Sequence, residues 1–218
     1  MLVGLDSATD IATVAIGRGR ELLGEVAVGV QSRHAEALLP ALDFLLHTAG
    51  QSRTSIRGIV VGSGPGSFTG VRIAAATARG LAQGFGVPLF AFSTLAALAL
   101  DVSSERPVCT LLDARRGEVY AALYRRTGMD SVEEILAPVA LPITSLLPLV
   151  RAHAAVFAGP GAERYAAELP SAAVRAIPRA SALLRLAAAN PSAGRVTELS
   201  GWEPDYLRSP GAERGVLG

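Results

Sequence analysis

Two clusters of side chains have the types and spacing for chemistry, and each starts at an acidic residue closing an apolar run. The first is Asp6-Ser7-Ala8-Thr9. A turn of this composition can offer backbone N–H groups to a phosphate while its carboxylate orients a metal-bound water. Asp, Ser and Thr are also ordinary turn formers. Asp6, Ser7 and Thr9 are therefore candidate nucleotide or phosphate contacts. The second cluster is Asp113, Arg115 and Glu118, which reads equally as a structural ion-pair knot or as part of an active site.

Between them lies the most specific stretch, Gly64-Pro65-Gly66-Ser67-Phe68-Thr69-Gly70-Val71-Arg72. It follows a strand-like run and opens a helical one, a geometry in which N–H groups and the helix dipole can hold an anion. It is not a P-loop, because no lysine follows any glycine; all 20 basic residues of the chain are arginine. The glycine spacing also fails the dinucleotide fingerprint. The structural alternative is a tight strand-to-helix turn with Thr69 as N-cap. Other catalytic frameworks are missing. His34, His47 and His153 match no zinc-binding spacing, and Ser67 stands in no nucleophile elbow, since residue 65 is Pro. No catalytic residue and no metal ligand is assigned.

The elements that must position these residues follow from composition and periodicity. Half of the 218 residues are hydrophobic and only 18% are charged, enough for a large core. A net charge of +1 gives no global attraction to nucleic acid. The single Cys109 sits in an apolar run and reads as a buried thiol. No apolar run reaches the roughly 18–20 residues of a membrane span, and no basic leader precedes the first strand, so the expected compartment is the cytoplasm.

Residues 2–5, 11–16 and 21–30 read as an antiparallel meander, followed by a helix over 34–49, a strand over 59–61, a helix over 71–83 and a strand over 87–91. Ser93 caps a helix over 94–100. A second unit opens near Pro107, with strands over 108–112, 118–125 and 133–141. A helix over 145–153, a strand over 155–158, a turn over 159–161 and a helix over 180–189 complete it. The echo of strand, acidic turn, strand, strand predicts a duplicated α/β fold with lobes at 1–104 and 105–218, the second reduced. A final helix near 200–210 is expected to pack back on the first lobe.

A helical wheel adds a surface argument. On the 34–49 helix, Glu36, Pro40, Asp43 and His47 take a narrow arc; on the 71–83 helix, Arg72, Arg79 and Gln83 form the polar stripe. Leu38, Ala41, Leu42, Leu45, Val71, Ala74, Ala75, Ala78 and Ala82 then leave more apolar surface than one sheet contact uses. They are the expected docking face for another chain, with small residues permitting close helix approach.

The stretch Gly64–Ile73 resembles the hallmark of the TsaB (YeaZ) family. The similarity continues in Asp113-Ala114-Arg115-Arg116-Gly117-Glu118-Val119-Tyr120 and in Arg33-His34-Ala35-Glu36-Ala37-Leu38-Leu39-Pro40. It includes Leu5-Asp6-Ser7-Ala8-Thr9 and Pro204-Asp205-Tyr206-Leu207-Arg208. The resemblance implies the actin-like ATPase fold (ASKHA, ribonuclease H-like). It implies a non-catalytic subunit that binds and activates TsaD, the paralogue carrying the metal-binding histidines. With the ATPase TsaE, that pair transfers a threonylcarbamoyl group to an adenosine of tRNA. The resemblance places the interface on the first two helices, brings tRNA to this subunit only through the complex, and assigns it no cofactor. It allows ATP at the subunit junction and a homodimer when the chain is alone. The rival reading is an ATPase or phosphotransferase of the same fold, using Asp6 and the glycine-rich loop.

Overall fold

Apolar runs of two kinds build two sheets in the computed structural model, which describes residues 1–30 and 34–207, with the backbone alone for His34 and Ala35. Leu2–Asp6 (β1) pairs antiparallel with Ile11–Arg18 (β2), and β2 with Glu21–Gly29 (β3). Gly58–Gly62 (β4) and Leu89–Phe92 (β5) are short and buried on both faces, as parallel strands tend to be. They extend the sheet to the order β3-β2-β1-β4-β5. The second sheet repeats the plan. Val108–Arg115 (β6), Glu118–Arg126 (β7) and Val132–Pro142 (β8) form the meander. Val156–Ala158 (β9) lies parallel beside β6, in the order β8-β7-β6-β9. This is the duplicated α/β arrangement that the acidic echo predicts.

Alternation along the strands places a helical layer on each face. Val3, Leu5, Val14, Ile16, Ile59 and Val61 meet His34–Thr48 (α1) and Phe68–Phe85 (α2). Their neighbours Ala15, Val60 and Phe90 meet Thr94–Asp101 (α3) and Ala180–Ala189 (α6). In the second sheet Leu112, Tyr120 and Ala122 pack on α3. Cys109, Leu111, Val119 and Ala121 pack on Ile143–Val150 (α4) and Pro160–Arg164 (α5). The α3–α6 layer is thus shared between the sheets. Burial pushes the Cys109 thiol up to about 12.

A chain of ion pairs fastens the lobes. The buried Asp130 carboxylate, on the β7–β8 connection, meets Arg20 at 2.9 Å and Arg185 at 2.8 Å. Arg185 also reaches Asp101 at 3.7 Å, and Arg179 joins Asp101 (3.3 Å) to Glu25 (3.2 Å).

Four expectations are corrected. Ser67, not Thr69, caps α2: the Ser67 backbone is still extended while Thr69 is already helical, and Ser67 Oγ accepts the Gly70 N–H. Pro160 opens the short helix α5 in place of a turn, its missing N–H being harmless at a first helical position. Among the described residues no helix forms near 200–210; residues 200–207 return to the first lobe without helical structure. Their approach adds a short antiparallel bridge on β5, with Ala91 N–H to Gly194 O at 2.7 Å and Val196 N–H to Leu89 O at 3.0 Å. With α6 also on the first sheet, residues assigned to the second lobe complete the first.

The fourth correction concerns the expected docking face. Leu38, Ala41, Leu42, Leu45, Val71, Ala74, Ala75, Ala78 and Ala82 are all buried inside this chain. The wheel allotted each helix one sheet contact, whereas α1 and α2 also pack on each other, and Val196, Leu199 and Trp202 join the same core. Arg79 holds the returning segment by donating to the Trp202 and Ser200 carbonyls. Ala78→Glu therefore strikes the fold. With Ala78 at 0% exposure, a carboxylate there is expected to cost several kcal/mol. Thermal melting would show an unfolded or aggregated chain; an intact monomer would contradict the packing described.

Candidate functional site

Asp6 ends β1 with its side chain turned inward, 1% exposed. Its Oδ1 accepts the Ala8 N–H at 2.9 Å and its Oδ2 the Thr94 hydroxyl at 2.7 Å. The Thr94 N–H in turn reaches the Gly64 carbonyl at 2.8 Å. A side chain at Gly62 would collide with the same carboxylate. Burial raises the Asp6 pKa above the usual carboxylate value, although the Ala8 and Thr94 hydrogen bonds oppose the shift.

The glycine-rich loop is pressed against this turn. Ser7 Oγ donates to Gly70 O at 2.7 Å, the Ser67 N–H donates to Ala8 O at 2.8 Å, and any Cβ on Gly66 would overlap Ala8. The Ser67, Gly70 and Val71 N–H groups are spent on Ala8 O, Ser67 Oγ and Ser67 O. The stretch Gly64, Pro65, Gly66, Ser67, Thr69, Gly70 is thus a packed joint, the tight-turn alternative, with these three N–H groups engaged inside the chain. The returning segment clamps its other side: Ser63 Oγ donates to Asp205 Oδ2 at 2.7 Å, and the Asp205 N–H to Ser63 O at 2.9 Å. The Tyr206 and Phe68 rings lie 5.1 Å apart, with the Arg72 guanidinium 5.9 Å from the Phe68 ring.

Of the three phosphate candidates, Asp6 and Ser7 are therefore corrected to buried braces, since their polar atoms face the fold. Only Thr9 lines open space, and its hydroxyl is shared with the Ile11 N–H and carbonyl. That space is a cleft of about 210 Å³ between the lobes. Ala8, Thr9, Asp10 and Ser67 line one side, and Leu112, Asp113, Arg115 and Pro160 the other. Two acidic turns remote in sequence meet there, but the volume lies below the roughly 300 Å³ of an ordinary ligand pocket.

The second turn is arranged differently from its sequence pairing. Asp113 Oδ1 accepts the backbone N–H of Arg115 at 2.9 Å and the Tyr165 hydroxyl at 3.3 Å. The guanidinium facing Asp113 Oδ2, at 3.4 Å, belongs to Arg164. Arg115 and Glu118 are register partners across the hairpin. Arg115 and Arg116 have φ of 66° and 55°, a left-handed backbone that costs a non-glycine residue of order 1 kcal/mol. Sequence reasoning missed Thr94, Arg164, Tyr165 and Asp205; of these only Asp205 lay in a motif it had singled out. Arg33 and Arg208 of the motifs lie outside the described residues. Among the described residues no three His, Cys, Asp or Glu side chains group to hold a metal, and no helix is long and apolar enough to cross a membrane.

A raised folded-state pKa means that Asp6 binds its proton more tightly folded than unfolded. Its contribution to stability is full below 3.8 and is lost as pH rises through the folded pKa. Asp6→Asn keeps the Ala8 acceptor and removes the charge. Melting curves should show the variant gaining on the wild type as pH rises from below 3.8 toward neutrality. A constant or shrinking difference would mean that desolvation does not dominate at this site.

Comparison with known proteins agrees with this architecture. The family model described as TsaD, tRNA N6-adenosine threonylcarbamoyltransferase, matches residues 27–215. The Escherichia coli tRNA threonylcarbamoyladenosine biosynthesis protein TsaB is 34% identical over 63% of this chain and 62% of its own length. The Haemophilus influenzae protein of the same name is 36% identical over 55% of this chain and 51% of its own. The matched stretch thus spans between half and two thirds of these curated relatives. The solved structure of YeaZ from Pseudomonas aeruginosa superposes with a TM-score of 0.81 at 31% identity, over 94% of this chain and 99% of that one. By sequence and fold together this chain belongs to the TsaB (YeaZ) family.

Proposed function

We propose that this chain is a non-catalytic docking subunit for the formation of N6-threonylcarbamoyladenosine in tRNA, binding and activating a TsaD-like catalytic subunit alongside a TsaE-like ATPase. The observation that carries this reading is the outer face of α1 and α2, opposite the buried residues. On α1, Leu39 is 48% and Phe44 59% exposed. On α2, Ala76, Gly80 and Gly84 are exposed. A side chain at Gly80 or Gly84 would meet nothing within 4 Å in this chain. Glycine inside a helix costs roughly 0.5–1 kcal/mol relative to alanine. Nothing in this fold requires it at either position, whereas a second helix approaching closely does.

The occupant follows from the family. The curated relatives are named for threonylcarbamoyladenosine biosynthesis, and the matching family model is that of the transferase itself. A paralogue of this fold would present corresponding helices, so the two pack as a four-helix contact; two copies of this chain would use the same face when alone. ATP, in this reading, sits at the subunit junction and not against Asp6, both of whose oxygens are engaged.

Two substitutions test this. Gly80→Ala with Gly84→Ala should stabilise the isolated chain by roughly 1–2 kcal/mol in thermal unfolding. Gly80→Leu should leave the chain folded yet abolish co-purification with the TsaD-like subunit, read by native mass measurement. Assembly that tolerates leucine at position 80 would move the interface elsewhere. A wild-type chain that fails to co-purify would end the docking reading.

A further inference from the structure

The hairpin between β6 and β7 carries two arginines whose conformation the fold does not explain. Arg116 and Gly117 form its two-residue turn, and Arg115, just before it, is left-handed as well. Turns with positive φ are met without strain by Asn or Gly. Here arginine stands at 115 and 116, and both residues are exposed. No hydrogen bond or ion pair of the Arg116 guanidinium stands among those of the described residues, and Arg115 faces Glu118 across the hairpin. The adjacent carboxylate does not discharge them. Asp113 spends its oxygens on Arg164, the Tyr165 hydroxyl and the Arg115 backbone N–H, so it anchors the tip without neutralising it. The tip therefore holds two exposed guanidiniums on a pinned backbone at the mouth of the cleft that Arg115 lines with Thr9 and Asp10.

The surroundings indicate the chemical class of the ligand. None of the exposed large apolar side chains, such as Leu22, Leu39, Phe44 or Met129, stands on this hairpin. Protein interfaces are anchored by apolar and aromatic groups, whereas paired guanidiniums match phosphate oxygens. We propose that the Arg115–Arg116 tip contacts the phosphodiester backbone of the tRNA, so that this subunit touches the RNA directly and not only through its partner. This rests on the tRNA-modification reading given above. A contact to phosphates carries no base preference and weakens with salt.

The test uses the complex of this chain with its TsaD-like subunit, titrated with tRNA over a range of salt concentrations. Asparagine accepts left-handed backbone, so Arg115→Asn with Arg116→Asn should melt no lower than the wild type. The double variant should bind tRNA several-fold more weakly, with the slope of log affinity against log salt shallower by about 2. Arg125→Asn, which removes an arginine paired with Glu133 at 3.6 Å, should change neither quantity. Unchanged affinity and slope in the double variant would overturn the proposal while leaving the docking reading intact. So would weakened assembly with unchanged RNA binding by the assembled complex, since the tip would then be a protein contact. Failure of the wild-type subunits to assemble, visible by mass before RNA is added, would defeat the docking reading and this one with it.

Discussion

The Asp6 carboxylate, sealed from water, is the constraint around which the first lobe is organised. A buried carboxylate must have its oxygens satisfied, and here the donors come from the β1–β2 turn and from the start of α3. The position of Thr94 then fixes Gly64 through a backbone hydrogen bond, and the carboxylate leaves no room for a side chain at Gly62. Ser7 and Ser67 close the remaining gaps between turn and loop. The glycine-rich stretch is consequently a joint: its glycines allow backbone to lie against backbone, and the Ser67, Gly70 and Val71 N–H groups are engaged within the chain.

That arrangement turns the Asp6 carboxylate toward the fold and not toward the cleft. Composition shows that Asp, Ser and Thr share a turn, but not whether their polar atoms face the cleft or the core. The direction is set by Thr94, 88 residues away, and no local pattern reports it. The duplicated sheet was legible because each strand has helices on both faces or alternates cleanly, which leaves continuous or period-two apolar runs. The helical wheel identified the apolar residues of α1 and α2 correctly and misjudged their partners. A wheel sees one helix at a time, while burial depends on how many neighbours converge, and Trp202 was one that the wheel could not include. The informative signal on α2 was instead its weakest helix formers, Gly80 and Gly84, whose cost has no return within the chain.

The lobes are fixed relative to one another by charge as well as by packing. Asp130 is almost fully buried between Arg20 and Arg185. Removing one member of such a pair typically costs more than the pair contributes, because the other is left charged without compensation. The shared α3–α6 layer and this ion chain together join the two sheets.

The return of α6 and the 194–206 segment to the first sheet has a consequence for biosynthesis. Thr13 in β2 accepts its partner from beyond the entire second lobe, 167 residues downstream. While the ribosome is still making that lobe, the first stands with one sheet face lacking α6 and the edge of β5 unpaired, the kind of surface on which nascent chains misassociate. The amino-terminal half is then an unfinished body, and its maturation waits on the part of the message translated last among these elements.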